Sequence, residues 1–192
     1  ECLMRQPSNE EEREQLQTAL GMQLKRLGAY YDMTSGAYLV LDNGVTAKSR
    51  YYSVRETSGM SEELYQLARN HAATQWVNCP DGSMIVDNMG DGVLSAISSI
   101  SHPQTGQPCG VIVVEIKLAA IKRMMRVDLG ENSNVFLLGR DGGVLSALME
   151  DSEQQSLVTE LVQGEVIGSK LEVRDKKDFF VLCSRLPASG WT

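Results

Sequence analysis

Residues 8–32 carry leucines at Leu16, Leu20, Leu24 and Leu27, the i, i+4, i+8, i+11 spacing that lines one side of a helix. Ser8 or Asn9 can cap it, and Glu10, Glu11 and Glu12 follow where the positive end of the helix dipole favours anions. Gly28 ends or loosens it. The stripe predicts one buried face, set either against the chain's own sheet or against a second copy, and the spacing leaves both open.

The period then shortens to two. Ala37–Leu41 and Val45–Val54 flank Asp42-Asn43-Gly44, a strong hairpin signal. Ser61–His71 reads as a helix capped by Ser61, with Leu64, Leu67 and Ala68 on its buried side. Thr74–Asn78 and Ser83–Asp87 flank Pro80-Asp81-Gly82 and read as a strand pair, and Gly92–Ser101 joins Gly110–Ile116 through His102–Gly106.

A smaller set of elements follows. Leu118, Ile121 and Met125 share one face of a short helix over 118–126. Asn134–Leu138 and Val144–Leu148 flank Arg140–Gly143, Ser152–Val162 is helical, and Val166–Val173 and Phe179–Leu186 close the chain around the turn residues Asp175–Lys177. Helix, hairpin, helix and then antiparallel strands, twice, predict an α+β fold in two units. The first is residues 1–117 and the second residues 118–192.

Composition narrows the function. Hydrophobic residues make up 42% and charged residues 22% of the 192, an ordinary globular balance. No run of about 18 apolar residues is present, so no segment reads as a membrane-spanning helix, and the polar start Glu1-Cys2-Leu3-Met4-Arg5 does not read as a signal peptide. The chain starts without Met and stops at Gly190-Trp191-Thr192, which reads as a piece of a longer protein whose flanking segments cross a membrane. A net charge of −7, with one basic cluster at Lys117, Lys122, Arg123 and Arg126, argues against nucleic acid as a partner. Cys2, Cys79, Cys109 and Cys183 form no CxxC pair, and with only His71 and His102 the expectation is no metal and no cofactor. A Cys79–Cys109 disulfide stays open. No nucleophile elbow, P-loop, HExxH or GxGxxG motif is present, so no catalytic residue is expected in this fragment.

Three stretches resemble one family. Gly106-Gln-Pro-Cys-Gly-Val-Ile-Val-Val-Glu-Ile116 resembles the "G-x-x-x-G-V-x-x-x-D-I" strand of double Cache domains, the extracellular sensors of bacterial receptors. Val135–Ser146 resembles their "v-f-l-l-d-x-x-G-x-v-l-s" hairpin, and Phe179–Trp191 the closing strands of sensors on YesM-like histidine kinases. The resemblance implies a long N-terminal helix followed by two PAS-like lobes with antiparallel sheets. The first lobe would be membrane-distal and bind ligand, and the second, with its connector helix, membrane-proximal. It implies a location at the extracellular or periplasmic face of the plasma membrane and flanking transmembrane helices. The implied output is a sensor histidine kinase, with a chemotaxis receptor or diguanylate cyclase as alternatives. A dimerisation module built on the leucine stripe, pairing as a homodimer through the N-terminal helix, is the non-binding alternative.

By the same resemblance the ligand site maps onto Tyr65, Trp76 and Glu115, the last standing where the family has Asp. Glu62 and Leu64 stand where amino-acid-binding members have Arg and Trp. Arg69, one helical turn from Tyr65, is the candidate replacement guanidinium, and Asp87 is a further candidate pocket residue. Trp76 suits a sugar ring or a cation, and a covered Glu115 carboxylate needs a partner; a sugar, a carboxylate, an amine or a peptide stays open as ligand, with a sugar favoured. Closure of the lobe around Trp76 and Glu115 is the expected signal.

Overall fold

The computed structural model describes residues 5–29, 33–49, 62–71, 73–79, 82–83, 92–126, 133–139, 142–149, 151–163, 168–174 and 177–184. The chain divides into two compact units, Glu1–Ala120 and Ile121–Thr192.

The first unit is built on helix α1 (Glu10–Ala29), strands β1 (Thr34–Leu41) and β2 (Thr46–Lys48), helix α2 (Glu62–Asn70), and strands β3 (Gln75–Cys79), β4 (Val93–Ser101) and β5 (Pro108–Lys117). Asn9, not Ser8, caps α1. Its Oδ1 accepts the Glu12 amide at 2.8 Å, and the Glu12 carboxylate accepts the Ser8 amide at 2.5 Å. The second bond reaches past the cap to the residue before it, so the pair is a variant of the capping box, not the reciprocal form.

The strands form one antiparallel sheet in the order β2-β1-β5-β4-β3. Opposed residues share a face and neighbours along a strand alternate, so the ladder sorts every side chain. One face carries Tyr38, Val40, Val77, Ile97, Val111 and Val113, packed against Tyr65 and Ala68 of α2. The other carries Ala37, Leu39, Leu41, Ile100 and Ile112, packed with Val45, Ala47 and the α1 residues Leu16, Leu20 and Leu24. The described part of the leucine stripe therefore buries against the chain's own sheet. The side chain of Leu27 lies outside the described residues.

The β1–β2 turn is Asp42-Asn43-Gly44. The Gly44 amide donates to the Leu41 carbonyl at 2.9 Å, and Gly44 takes φ 79°, a left-handed conformation that glycine enters without a side-chain clash. Strand β3 pairs with β4, from Gln75↔Ile97 to Cys79↔Val93. The expected partner segment Ser83–Asp87 lies, beyond Ser83, outside the described residues, as do the Ser61 cap and the side chains of Leu64 and Leu67.

The Cys79–Cys109 disulfide that the sequence leaves open does not form. Both thiols are free. Cys79 opposes Val93, which opposes Lys117. Cys109 lies eight positions back along β5, about 27 Å away, far beyond the ~7 Å Cα separation a disulfide spans.

Helix α3 (Leu118–Met125) carries the division between the units. The second unit contains strands β6 (Phe136–Leu138) and β7 (Val144–Ala147), helix α4 (Ser152–Gln163), and strands β8 (Gly168–Arg174) and β9 (Lys177–Cys183). Its described strands pair as two antiparallel hairpins, β6–β7 and β8–β9. Asp151 caps α4, its Oδ1 accepting the Gln154 amide at 3.1 Å, and α4 packs on β6. Leu138, Leu145, Leu157 and Leu161 are buried in this unit.

Candidate functional site

The α2 side of the first sheet holds a carboxylate at each of its two ends. At one end Glu115 is fully buried near the close of β5. Its cross-strand neighbours are Gly36 on β1 and Ser95 on β4. Ser95 is buried as well, and the buried Ser83 hydroxyl donates to Glu115 Oε2 at 2.6 Å. That length suits a hydroxyl bonded to a carboxylate. The bond offsets part of the cost of removing an acid from water.

The Cys79 sulfur lies 3.9 Å from the Ser95 hydroxyl, in reach of the same cluster. Burial pushes the Cys79 thiol up, the Ser95 hydrogen bond opposes this, and the Glu115 carboxylate adds to it. The thiol stays protonated near neutrality and acts as a small polarisable wall of the cluster.

At the other end Asp42 is gripped by α2. Arg69 Nη2 lies 2.8 Å from Asp42 Oδ2 and Nη1 donates to Oδ1 at 3.2 Å, a two-pronged guanidinium–carboxylate pair. The Tyr65 hydroxyl donates to the same Oδ1 in a short hydrogen bond. Tyr65 and Arg69 stand four residues apart, on one face of the helix. Burial, then the bond to Asp42 and its negative charge, push the Tyr65 phenol up to about 12. It therefore remains a donor at every ordinary pH.

The ladder separates these two ends. Gly36 opposes Glu115, and Asp42 lies six positions further along β1, about 20 Å away. Tyr65 and Arg69 are brought together but face Asp42, not Glu115.

Trp76 lies elsewhere. It opposes Ala96, which opposes Val114, which opposes Ala37 on the α1 side of the sheet. Glu115, one residue beyond Val114, points to the α2 side. Trp76 and Glu115 are thus on opposite faces, and the expected closure of one pocket around the pair is overturned by the parity of a regular ladder. Trp76 is half-buried on β3, while α1 packs against β1 and β2, across the sheet. Asp87 lies outside the described residues.

Asp42, Ser83 and Ser95 were hidden in the sequence. Asp42 reads as a turn former and the serines as ordinary alternation, and only the register of β4 on β5 reveals that Ser95 faces Glu115. Among the described residues no group of three or more His, Cys, Asp or Glu side chains is placed to hold a metal ion. No described helix is long and apolar enough to cross a membrane.

No protein-family model matches the chain, and no curated protein sequence matches it. Solved structures do. The ligand-binding domain of the Campylobacter jejuni chemoreceptor Tlp3, in complex with L-norvaline, superposes with a TM-score of 0.60 at 17% identity, covering 91% of this chain and 68% of that one. The extracellular domain of rpHK1S-Z16, assigned as a histidine kinase, gives 0.59 at 18% identity, covering 85% and 70%. The ligand-binding domain of the Pseudomonas aeruginosa PAO1 amino acid chemoreceptor PctC, in complex with GABA, gives 0.56 at 18% identity, covering 94% and 88%. At these identities the likeness is one of fold. The chain has the α+β fold of a Cache-type sensor domain.

Proposed function

We propose that this chain is the extracellular ligand-sensing part of a bacterial transmembrane signalling receptor. The observation that carries the reading is the fold. It is shared, over about nine-tenths of this chain, with domains solved in complex with amino acids or GABA. The first unit is the membrane-distal, ligand-binding lobe and the second the membrane-proximal relay. Transmembrane helices flank both in the full-length receptor, at the extracellular or periplasmic face of the plasma membrane. This fragment binds and does no chemistry.

The output is a histidine kinase, as the closing motif suggests and the likeness to rpHK1S-Z16 supports. A chemotaxis receptor is the second reading, favoured by the likeness to Tlp3 and PctC.

Within the lobe we assign the ligand's amino group to Glu115, a buried acid in a polar cluster with Ser83 and Ser95. Asp87 is a further candidate. Tyr65 and Arg69 belong to the Asp42 end, and Trp76 to the other face, so a sugar stacked on Trp76 beside Glu115 is not part of this reading.

A thermal-shift panel of GABA, aliphatic amino acids, short amines and sugars tests it. A ligand that binds only the folded state raises Tm with the logarithm of its concentration. The expected hit carries an amino group, and Glu115→Gln removes its effect while the variant still melts cooperatively. A panel with no saturable shift from any class would overturn the sensing role.

A further inference from the structure

We propose that the solvent-facing side of the β8–β9 hairpin, at Phe180 and Leu182, is a docking surface for an anionic phospholipid bilayer. It lies in the second unit and goes beyond the sensing role read from the first. Phe180 is 74% and Leu182 73% exposed. They stand two positions apart on β9, so they share one face of the hairpin and lie about 7 Å apart along the strand.

The alternation along β9 is the reverse of what a strand with one wet face carries. Val181 is half-buried and Cys183 is buried, so the face they share is turned inward. The face turned to solvent holds a phenyl ring and a leucine side chain instead of polar groups. The register sets Leu171 of β8 opposite Phe180 and Ser169 opposite Leu182, so neither position is answered by a charged residue. Single exposed apolar side chains are ordinary, but two large ones adjacent on one sheet face mark a contact surface.

Size and charge select the occupant. The two side chains present on the order of 250 Å² of apolar surface, against the roughly 800 Å² per partner that a stable protein interface buries. A second copy held by this face alone would not stay bound. Charge points the same way. Gly168–Thr192 carries five Lys and Arg against three Asp and Glu, a net +2 within a chain of net −7. Two copies would set like charge on like, whereas an anionic headgroup layer complements it.

Phe and Leu in a segment rich in Lys and Arg are what surface-lying elements bury at the boundary of headgroups and acyl chains. A patch this small binds marginally by itself. It becomes effective where a second attachment already holds the protein at the bilayer, which raises its effective concentration there. The reading of the second unit as membrane-proximal supplies that attachment, while the surface itself is defined by exposure and charge. Seated in this way, the hairpin fixes the tilt of the second unit on the bilayer.

The test is co-sedimentation of the whole chain with vesicles of phosphatidylcholine, alone or mixed with phosphatidylglycerol, at low and high salt. Wild type should bind the mixed vesicles with half-saturation at about 1–10 mM lipid, weaker than a single acyl chain achieves. Pure phosphatidylcholine and high salt should each lower binding several-fold. Phe180→Ser/Leu182→Ser should bind at least about tenfold more weakly, with an unchanged melt because neither side chain is in the core. Leu182→Ser alone carries the comparison if the double variant does not fold, with a several-fold loss expected. Phe180→Trp should gain an emission that brominated lipid quenches beyond the wild-type signal. Wild type that stays unbound across that lipid range would overturn the proposal. So would binding that the serine variants leave unchanged, which reduces it to general charge attraction. Self-association without lipid, seen by sedimentation equilibrium and lost in the double variant, would make the face an interface between copies instead. The vesicle assay reads the second unit and the thermal-shift panel the first, so failure of either leaves the other standing.

Discussion

Gly110 occupies a position on β5 where a side chain has no room. A Cβ there would lie 2.5 Å from the Val40 carbonyl oxygen and 2.8 Å from a Leu41 methyl. The first of these is backbone of the paired strand and cannot rotate away. Gly110→Ala should therefore destabilise the protein by about 1–3 kcal/mol, the usual range for overpacking, read as a lower denaturant midpoint. An unchanged midpoint would mean that β1 and β5 separate more readily than the ladder implies.

Tyr65 makes a prediction of a different kind. Its folded pKa is raised from 10.0 to about 12. A raised pKa means that the folded state holds the proton more tightly than the unfolded state. Its contribution to stability is thus fully present below pH 10 and is lost as pH climbs towards 12. Wild type should lose stability across that alkaline window more steeply than Tyr65→Phe, and its phenolate absorbance should include a late-titrating tyrosine that Tyr65→Phe lacks. Equal slopes would show that the burial of Tyr65 and its bond to Asp42 do not hold in solution.

Residue-scale chemistry was only partly legible in the sequence. The single acid at the end of an apolar strand singled out Glu115, and the structure buries it in a polar cluster. The grouping with Trp76 was not legible, because which face a strand residue takes depends on a register that spacing does not reveal.

At the scale of elements, α1 was readable from its stripe but its partner was not. A leucine every third or fourth residue states that a helix has an apolar side. It does not state whether the surface opposite belongs to the same chain. Leu24, 5% exposed against Leu39, Leu41, Val45 and Ala47, answers that. Leu24→Ala should cost about 2–5 kcal/mol in a melt whose midpoint does not depend on protein concentration. A concentration-dependent midpoint would instead place the stripe between two copies. The Asn43-Gly44 turn and the strands after it were legible because turn chemistry and alternation agree there.

At the scale of the whole molecule, the α+β class and the succession of two element sets could be read, because each element carries its own period. The order β2-β1-β5-β4-β3 could not. It is a long-range property that no local pattern encodes. The likeness to extracellular sensor domains rests on this arrangement, persisting at 17–18% identity.

That order also governs how the chain must fold. Strand β1 finds its central neighbour in β5, with Leu41 paired to Gly110 across all the intervening chain. The β1–β2 hairpin can form as soon as it exists. The sheet cannot close until the fifth strand arrives, and bringing it there costs the entropy of a long loop. Collapse of this unit is thus expected to be slow for its size, limited by a late, non-local docking step rather than by any one helix. The emerging polypeptide would remain an open, unpaired edge until its middle had been made.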